Sequence, residues 1–161
     1  MRVLERGTTL FLRATVYLIG LLILALCIFG LPVIAREAAE AFPDHWVYPV
    51  VILMYASVIP LYLALYQALK LLGYIDKNTA FSELSVAALK TIKLCAITIS
   101  LLHAACLPFL FLIADLDDAP GLILFGMVVP AASMVIAVFA AVLQRLLQNA
   151  IDIKSENDLT V

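Results

Sequence analysis

His103 is, hydroxyls aside, the one strongly polar side chain deep inside a long uncharged stretch of this sequence. Ser100 and Cys106 stand three residues to either side, a spacing that puts all three on one helical face. An ionisable group at such depth is a functional candidate by default. His and Cys alone make half a metal site, and no carboxylate or second His lies at that depth, so neither metal nor cofactor is expected. The competing reading is a neutral histidine, hydrogen-bonded within the packing. Tyr48, Tyr55 and Tyr62 recur every seven residues, with Tyr66 one turn on, so they share one side of a helix. Tyr55 and Tyr62 either pack between helices with their hydroxyls on backbone carbonyls or line a polar groove.

Two other sets of residues invite chemistry and then fall short of it. Asp115, Asp117 and Asp118 could join Glu37, Glu40 and Asp44 as oxygen ligands for Ca²⁺ or Mg²⁺. The DLDD run lacks the spacing of a calcium hand, so a solvated acidic face is expected. The three cysteines, Cys27, Cys95 and Cys106, all lie in apolar runs, form no CxxC pair, and read as small apolar residues. There is no paired membrane carboxylate, no GxSxG, no HExxH and no glycine loop for phosphate. The sequence therefore points away from an enzyme.

The elements that must carry these residues are four uncharged runs: Ala14–Ala35, His45–Leu69, Leu94–Ala114 and Ala119–Gln144, of 22, 25, 21 and 26 residues. A helix rises about 1.5 Å per residue, so about 20 residues cross a hydrocarbon core of roughly 30 Å. With 65% hydrophobic and 14% charged residues, a chain of 161 residues could not hide four such runs in a water-soluble core. The expected fold is all-α: one polytopic membrane domain over 1–161, with four transmembrane helices in an antiparallel bundle at about 8–34, 48–74, 82–114 and 120–153. The first run is too long for a cleaved signal peptide and is read as a retained helix ending near Pro32. Pro60, Pro108 and Pro130 each remove a backbone bond and are expected to kink their helices. Ser133, Ala137 and Ala141, with Gly126 before them, form a small-residue face suited to close packing within the bundle or between two copies. Leu143, Leu146, Leu147 and Ala150 predict an amphipathic continuation past Arg145, with a frayed tail from Ser155.

Charge orients the bundle. Nine of the 10 Lys and Arg residues fall in the two tails, the second connection and the helix ends beside them; only Arg36 lies in the other connections. Against six acids on each side, one end sums to +3 and the other to −5. The positive-inside rule then places both termini in the cytoplasm, N-in and C-in.

The second connection, YIDKNTAFSELSVAALKTIK, holds the most distinctive residues. Asp76-Lys77-Asn78 is turn chemistry, Ser82 can cap a helix, and Glu83 suits its first turn. Leu84, Ala88 and Ile92 share a face that Lys90 and Lys93 leave. The stretches Ile75-Asp76-Lys77-Asn78, Ala80-Phe81-Ser82-Glu83 and Leu89-Lys90-Thr91-Ile92 resemble the central signature of the domain-of-unknown-function family 2975. The four-helix hydropathy resembles that family too. The resemblance implies a small bacterial inner-membrane protein, often encoded beside a small helix-turn-helix regulator, and offers no catalytic residues. Typical members carry Gly or another small residue where Asn78 and Thr79 stand.

Two functional readings follow. In the first, a non-enzymatic regulatory or sensory protein binds a cytoplasmic regulator through Asp76, Lys77, Phe81, Ser82, Glu83, Leu84, Lys90 and Lys93. In the second, a small transporter or channel-like homo-oligomer is lined by Ser100, His103, Tyr55 and Tyr62. An immunity or accessory subunit is the remaining alternative. The lipid bilayer is the one partner that every reading requires, and no direct contact with nucleic acid is expected.

Overall fold

In the computed structural model, residues 2–160 are described, with side chains from Arg6 onward; the charges of Arg2 and Glu5 lie outside the described side chains. All elements among the described residues are helical. Helix α1 (Arg2–Ala25) runs through a π-helical turn (Leu26–Gly30) into α2 (Leu31–Ala41), and together they make the first span. Helices α3 (Asp44–Asp76), α4 (Glu83–Leu116) and α5 (Gly121–Leu159) follow. Four stretches are long and apolar enough to cross a membrane: Arg6–Ala41, Asp44–Asp76, Glu83–Leu116 and Gly121–Leu159. The links between them are short, so chain neighbours run antiparallel. The protein is a polytopic all-α membrane protein.

Three boundaries differ from expectation. The first span does not stop at Pro32 but continues to Ala41. The reason is the π turn: Leu31 N–H reaches back five residues to the Leu26 carbonyl, and the looser winding absorbs the proline. Only Phe42 and Pro43 then separate it from α3, which begins at Asp44 rather than near Tyr48. The tail from Ser155 is helical to Leu159, because nothing in SENDL breaks a helix that α5 has already nucleated. Pro60, Pro108 and Pro130 lie within continuous helices.

Both longer connections end their helices in the same way. Asn78 and Asp118 adopt left-handed backbone, with φ of 57° and 49°. Thr79 N–H donates to the Tyr74 carbonyl at 2.8 Å, and Ala119 N–H to the Ala114 carbonyl at 3.0 Å. These are Schellman closures with Asn or Asp in the position glycine usually takes.

Packing is uneven along the chain. The α4–α5 hairpin is the most closely packed pair, α3 lies against α4, and the first span touches mainly α3. On α5 the buried face is Ser133, Ala137 and Ala140, with Ala141 half-buried beside it. Small residues are buried on α4 as well, among them Ser85, Ala88, Cys95, Ala96 and Ser100, and the Ser100 hydroxyl reaches the Pro130 carbonyl of α5. Gly126 is needed here: a Cβ would lie 2.7 Å from Leu110 Cδ1 and 3.3 Å from Leu107 Cδ2. Small side chains let the backbones approach, and dispersion replaces a hydrophobic effect that lipid does not supply.

Candidate functional site

The basic end of the bundle gathers the tails and the 77–82 connection. Ser82 has the extended backbone of a helix N-cap, but its hydroxyl donates to the Thr79 carbonyl at 2.7 Å instead of capping an amide. It also lies 3.4 Å from the Ser85 hydroxyl, and Ser85 is fully buried at 0% exposure. Glu83 opens α4 and its carboxylate accepts from Gln148 Nε2 at 3.2 Å. Lys93 donates to Gln144 Oε1 at 3.0 Å. Asp76 pairs with Arg13 across a 2.7 Å contact, tying the first span to the end of α3.

These contacts divide the residues expected to meet a partner. Asp76, Ser82, Glu83 and Lys93 have partners within the molecule. Lys77, Phe81, Leu84 and Lys90 are exposed, with Phe81 at 66% and Leu84 at 61%. Ala88, expected on the same open face as Leu84, is buried instead. Of that apolar face only Leu84, at its start, stays free. Beside Phe81 is a hollow of about 810 Å³ whose wall includes Arg6, Leu12, Leu72, Ile75 and Asp76.

The intramembrane candidates separate in the same way. Tyr62 hydroxyl donates to the Gly20 carbonyl at 2.5 Å, and Tyr55 hydroxyl to the Cys27 carbonyl at 2.9 Å. Both therefore join α3 to the first span. The Cys27 carbonyl has a particular need for a donor: in the π register, the amide facing it would belong to Pro32, which has none. Ser100 hydroxyl donates to the Pro130 carbonyl at 2.9 Å, joining α4 to α5. His103 Nδ1 lies 3.0 Å from its own helix's Ile99 carbonyl, so it carries the proton and donates. Cys106 is buried, with Sγ 3.4 Å from the Leu102 carbonyl.

His103 lines a second hollow, of about 480 Å³, between all four spans toward the acidic end. Its wall is apolar except for His103 and Asp117. No three His, Cys, Asp or Glu side chains among the described residues are placed to share a metal ion.

Two features were missed in the sequence. Arg13 reads as a side chain reaching for headgroups, whereas it pairs with Asp76 while its Nε is buried without a hydrogen-bond partner. The signal was an acid and a base at the same depth on consecutive spans. The buried small residues of α4 also had a signal: Ser85, Ala96 and Ser100 follow one another at 11 and 4 residues, close to whole turns.

The sequence model of a family described as "Protein of unknown function (DUF2975)" matches residues 33–161. A Bacillus subtilis (strain 168) protein, "Uncharacterized membrane protein YoaS", is 60% identical over 160 residues, covering 98% of this chain and 100% of the relative. No solved structure matches.

Proposed function

The chain belongs to the DUF2975 family, and on that footing we propose that it acts without catalysis, as a regulatory or sensory membrane protein that binds a cytoplasmic partner at its basic end. Both termini face the cytoplasm in this reading, supported by nine of the 10 Lys and Arg residues lying at that end. The observation that carries it is the pair Phe81 and Leu84, 66% and 61% exposed beside Lys77 and Lys90. They sit between charged residues beyond the apolar run, where water rather than lipid is the solvent, and an exposed aromatic flanked by cations suits an acidic, partly apolar partner. The hollow beside Phe81 adds room for an inserted side chain. The helix-turn-helix regulator implied by the family resemblance is the partner to try first.

The test is co-purification of the full chain with that regulator from native membranes. Phe81→Ala with Leu84→Ala should abolish recovery, while Phe139→Ala, on a lipid-exposed stretch of α5, should leave it unchanged. Equal recovery with both variants would refute the reading. The transport alternative draws little support from Tyr55, Tyr62 and Ser100, whose hydroxyls are spent on backbone carbonyls.

A further inference from the structure

The apolar hollow above His103 has a shape and a polarity that define what fits it. His103, Cys106, Leu110, Ile113 and Asp117 follow one another along α4 at alternating intervals of three and four, so one continuous helix face forms its floor. Fourteen steps of about 1.5 Å from His103 to Asp117 make that floor about 21 Å long. The hollow beside it has a volume of about 480 Å³. A long apolar face with polar groups only at its ends suits one extended alkyl chain. The volume lies within the range of small-molecule sites, and the mostly apolar lining with a few placed polar groups is characteristic of them.

The slot is reachable from the bilayer. Ile34 and Phe125, which line it, are 57% and 79% exposed on the surface that meets lipid. Its polar groups stand at its two ends: His103 deep in α4, and Asp117 at the helix terminus. Around that terminus the connections hold six acids and a single cation, Arg36, a net of −5. An anionic headgroup would be repelled there and a cationic one held.

We propose that this slot binds a single-chain cationic amphiphile, with its hydrocarbon chain along α4 toward His103 and its ammonium head beside Asp117. The site is separate from the basic end, so its failure would leave the partner-binding reading standing, and the converse holds.

The experiment uses the full chain in phosphatidylcholine nanodiscs and a hexadecylammonium probe with a diazirine near the end of its chain. Photolabelling should saturate and should concentrate on slot residues such as Cys106, Leu110 and Val50. Hexadecyltrimethylammonium, compared at equal mole fraction in the bilayer, should compete better than hexadecanol, and hexadecanol better than hexadecyl sulfate. Asp117→Asn should weaken the ammonium competitor roughly threefold, the size of a partly solvated charge pair, and leave the alcohol unchanged. Val129→Phe, which fills the slot wall, should abolish saturable labelling. Ile59→Phe, on an exposed face of α3, should not, and matched circular dichroism of the two variants keeps misfolding apart from blockage. Labelling spread evenly over exposed residues such as Ile59 and Phe139 would overturn the site. Slot labelling with the sulfate or the alcohol competing as well as the ammonium would overturn the class of ligand.

Discussion

The α4–α5 hairpin and the first span are held by different physics. In its most apolar window α4 is 28% buried, whereas the first span is 6% buried. The hairpin closes by shape, with Ser133, Ala137 and Ala140 buried on α5, small residues buried on α4, and Gly126 against Leu107 and Leu110. The first span instead hangs on separate polar points: Arg13 to Asp76, Tyr62 to the Gly20 carbonyl, and Tyr55 to the Cys27 carbonyl. Gly20 shows the contrast. A Cβ there would meet Tyr62 and Leu65 at 3.7 Å, an ordinary contact, so this helix does not need a glycine to approach its neighbour. In lipid, dense packing adds up many small dispersion terms, while isolated hydrogen bonds contribute only about 0.6 kcal/mol each. The hairpin is therefore the rigid half of the molecule and the first span the half that can move.

The comparison breaks most readily at the seam. Ala137→Leu should overpack it and destabilise the protein by about 1–3 kcal/mol in a denaturing-detergent titration, whereas Val138→Leu, one residue on and exposed, should do almost nothing. If the two substitutions cost the same, the seam is not what holds α4 to α5. Next in size is the tyrosine pair. Tyr55→Phe with Tyr62→Phe removes two hydrogen bonds and should cost about 1.2 kcal/mol together. The loss should be local: amide exchange should quicken in α1 and α2 and remain unchanged in α4 and α5. Uniform quickening would mean that the first span is integral to the core. Smaller still is Asp76→Asn, which leaves Arg13 without its anion. The two side chains are 38% and 30% exposed, so the effect should stay below about 1 kcal/mol and shrink as salt is added. A salt-independent loss would point to packing in place of charge.

How much of this could be read in the sequence depends on the range of the interaction. The four spans, the turn at Asp76-Lys77-Asn78 and the small-residue face of α5 are local patterns, set by hydropathy, left-handed tolerance and helical period, and the structure has them. What was not legible needed knowledge of a neighbour. Ala88 looks open by spacing and is buried within the bundle. Ser82 looks like a capping hydroxyl and turns to Thr79 instead, with Ser85 close by. Pro32 looks like a helix end because no local rule reveals that a π turn precedes it and that a tyrosine on another helix covers the carbonyl it strands. Of the candidate sites, Phe81 and Leu84 were read from their place outside the apolar runs. The slot above His103 was not, since its walls come from all four spans.

The finest test of the contrast lies at that same proline. If Tyr55 matters because Pro32 leaves the Cys27 carbonyl without an amide, restoring the amide should make the tyrosine hydroxyl dispensable. Pro32→Ala supplies an N–H that can bond one turn back, so the π turn should relax toward regular α-helix. Tyr55→Phe should then cost less in the Pro32→Ala background than in the native one. The coupling in a double-mutant cycle should be roughly 0.5 kcal/mol, near the lower limit for residues sharing a hydrogen-bonded group. Tyr62 is the control, because the Gly20 carbonyl it meets lies in regular helix far from any proline. Its coupling to Pro32 should be nil. Equal coupling for both tyrosines would mean that the hydroxyls simply clamp the span and that the stranded carbonyl plays no part.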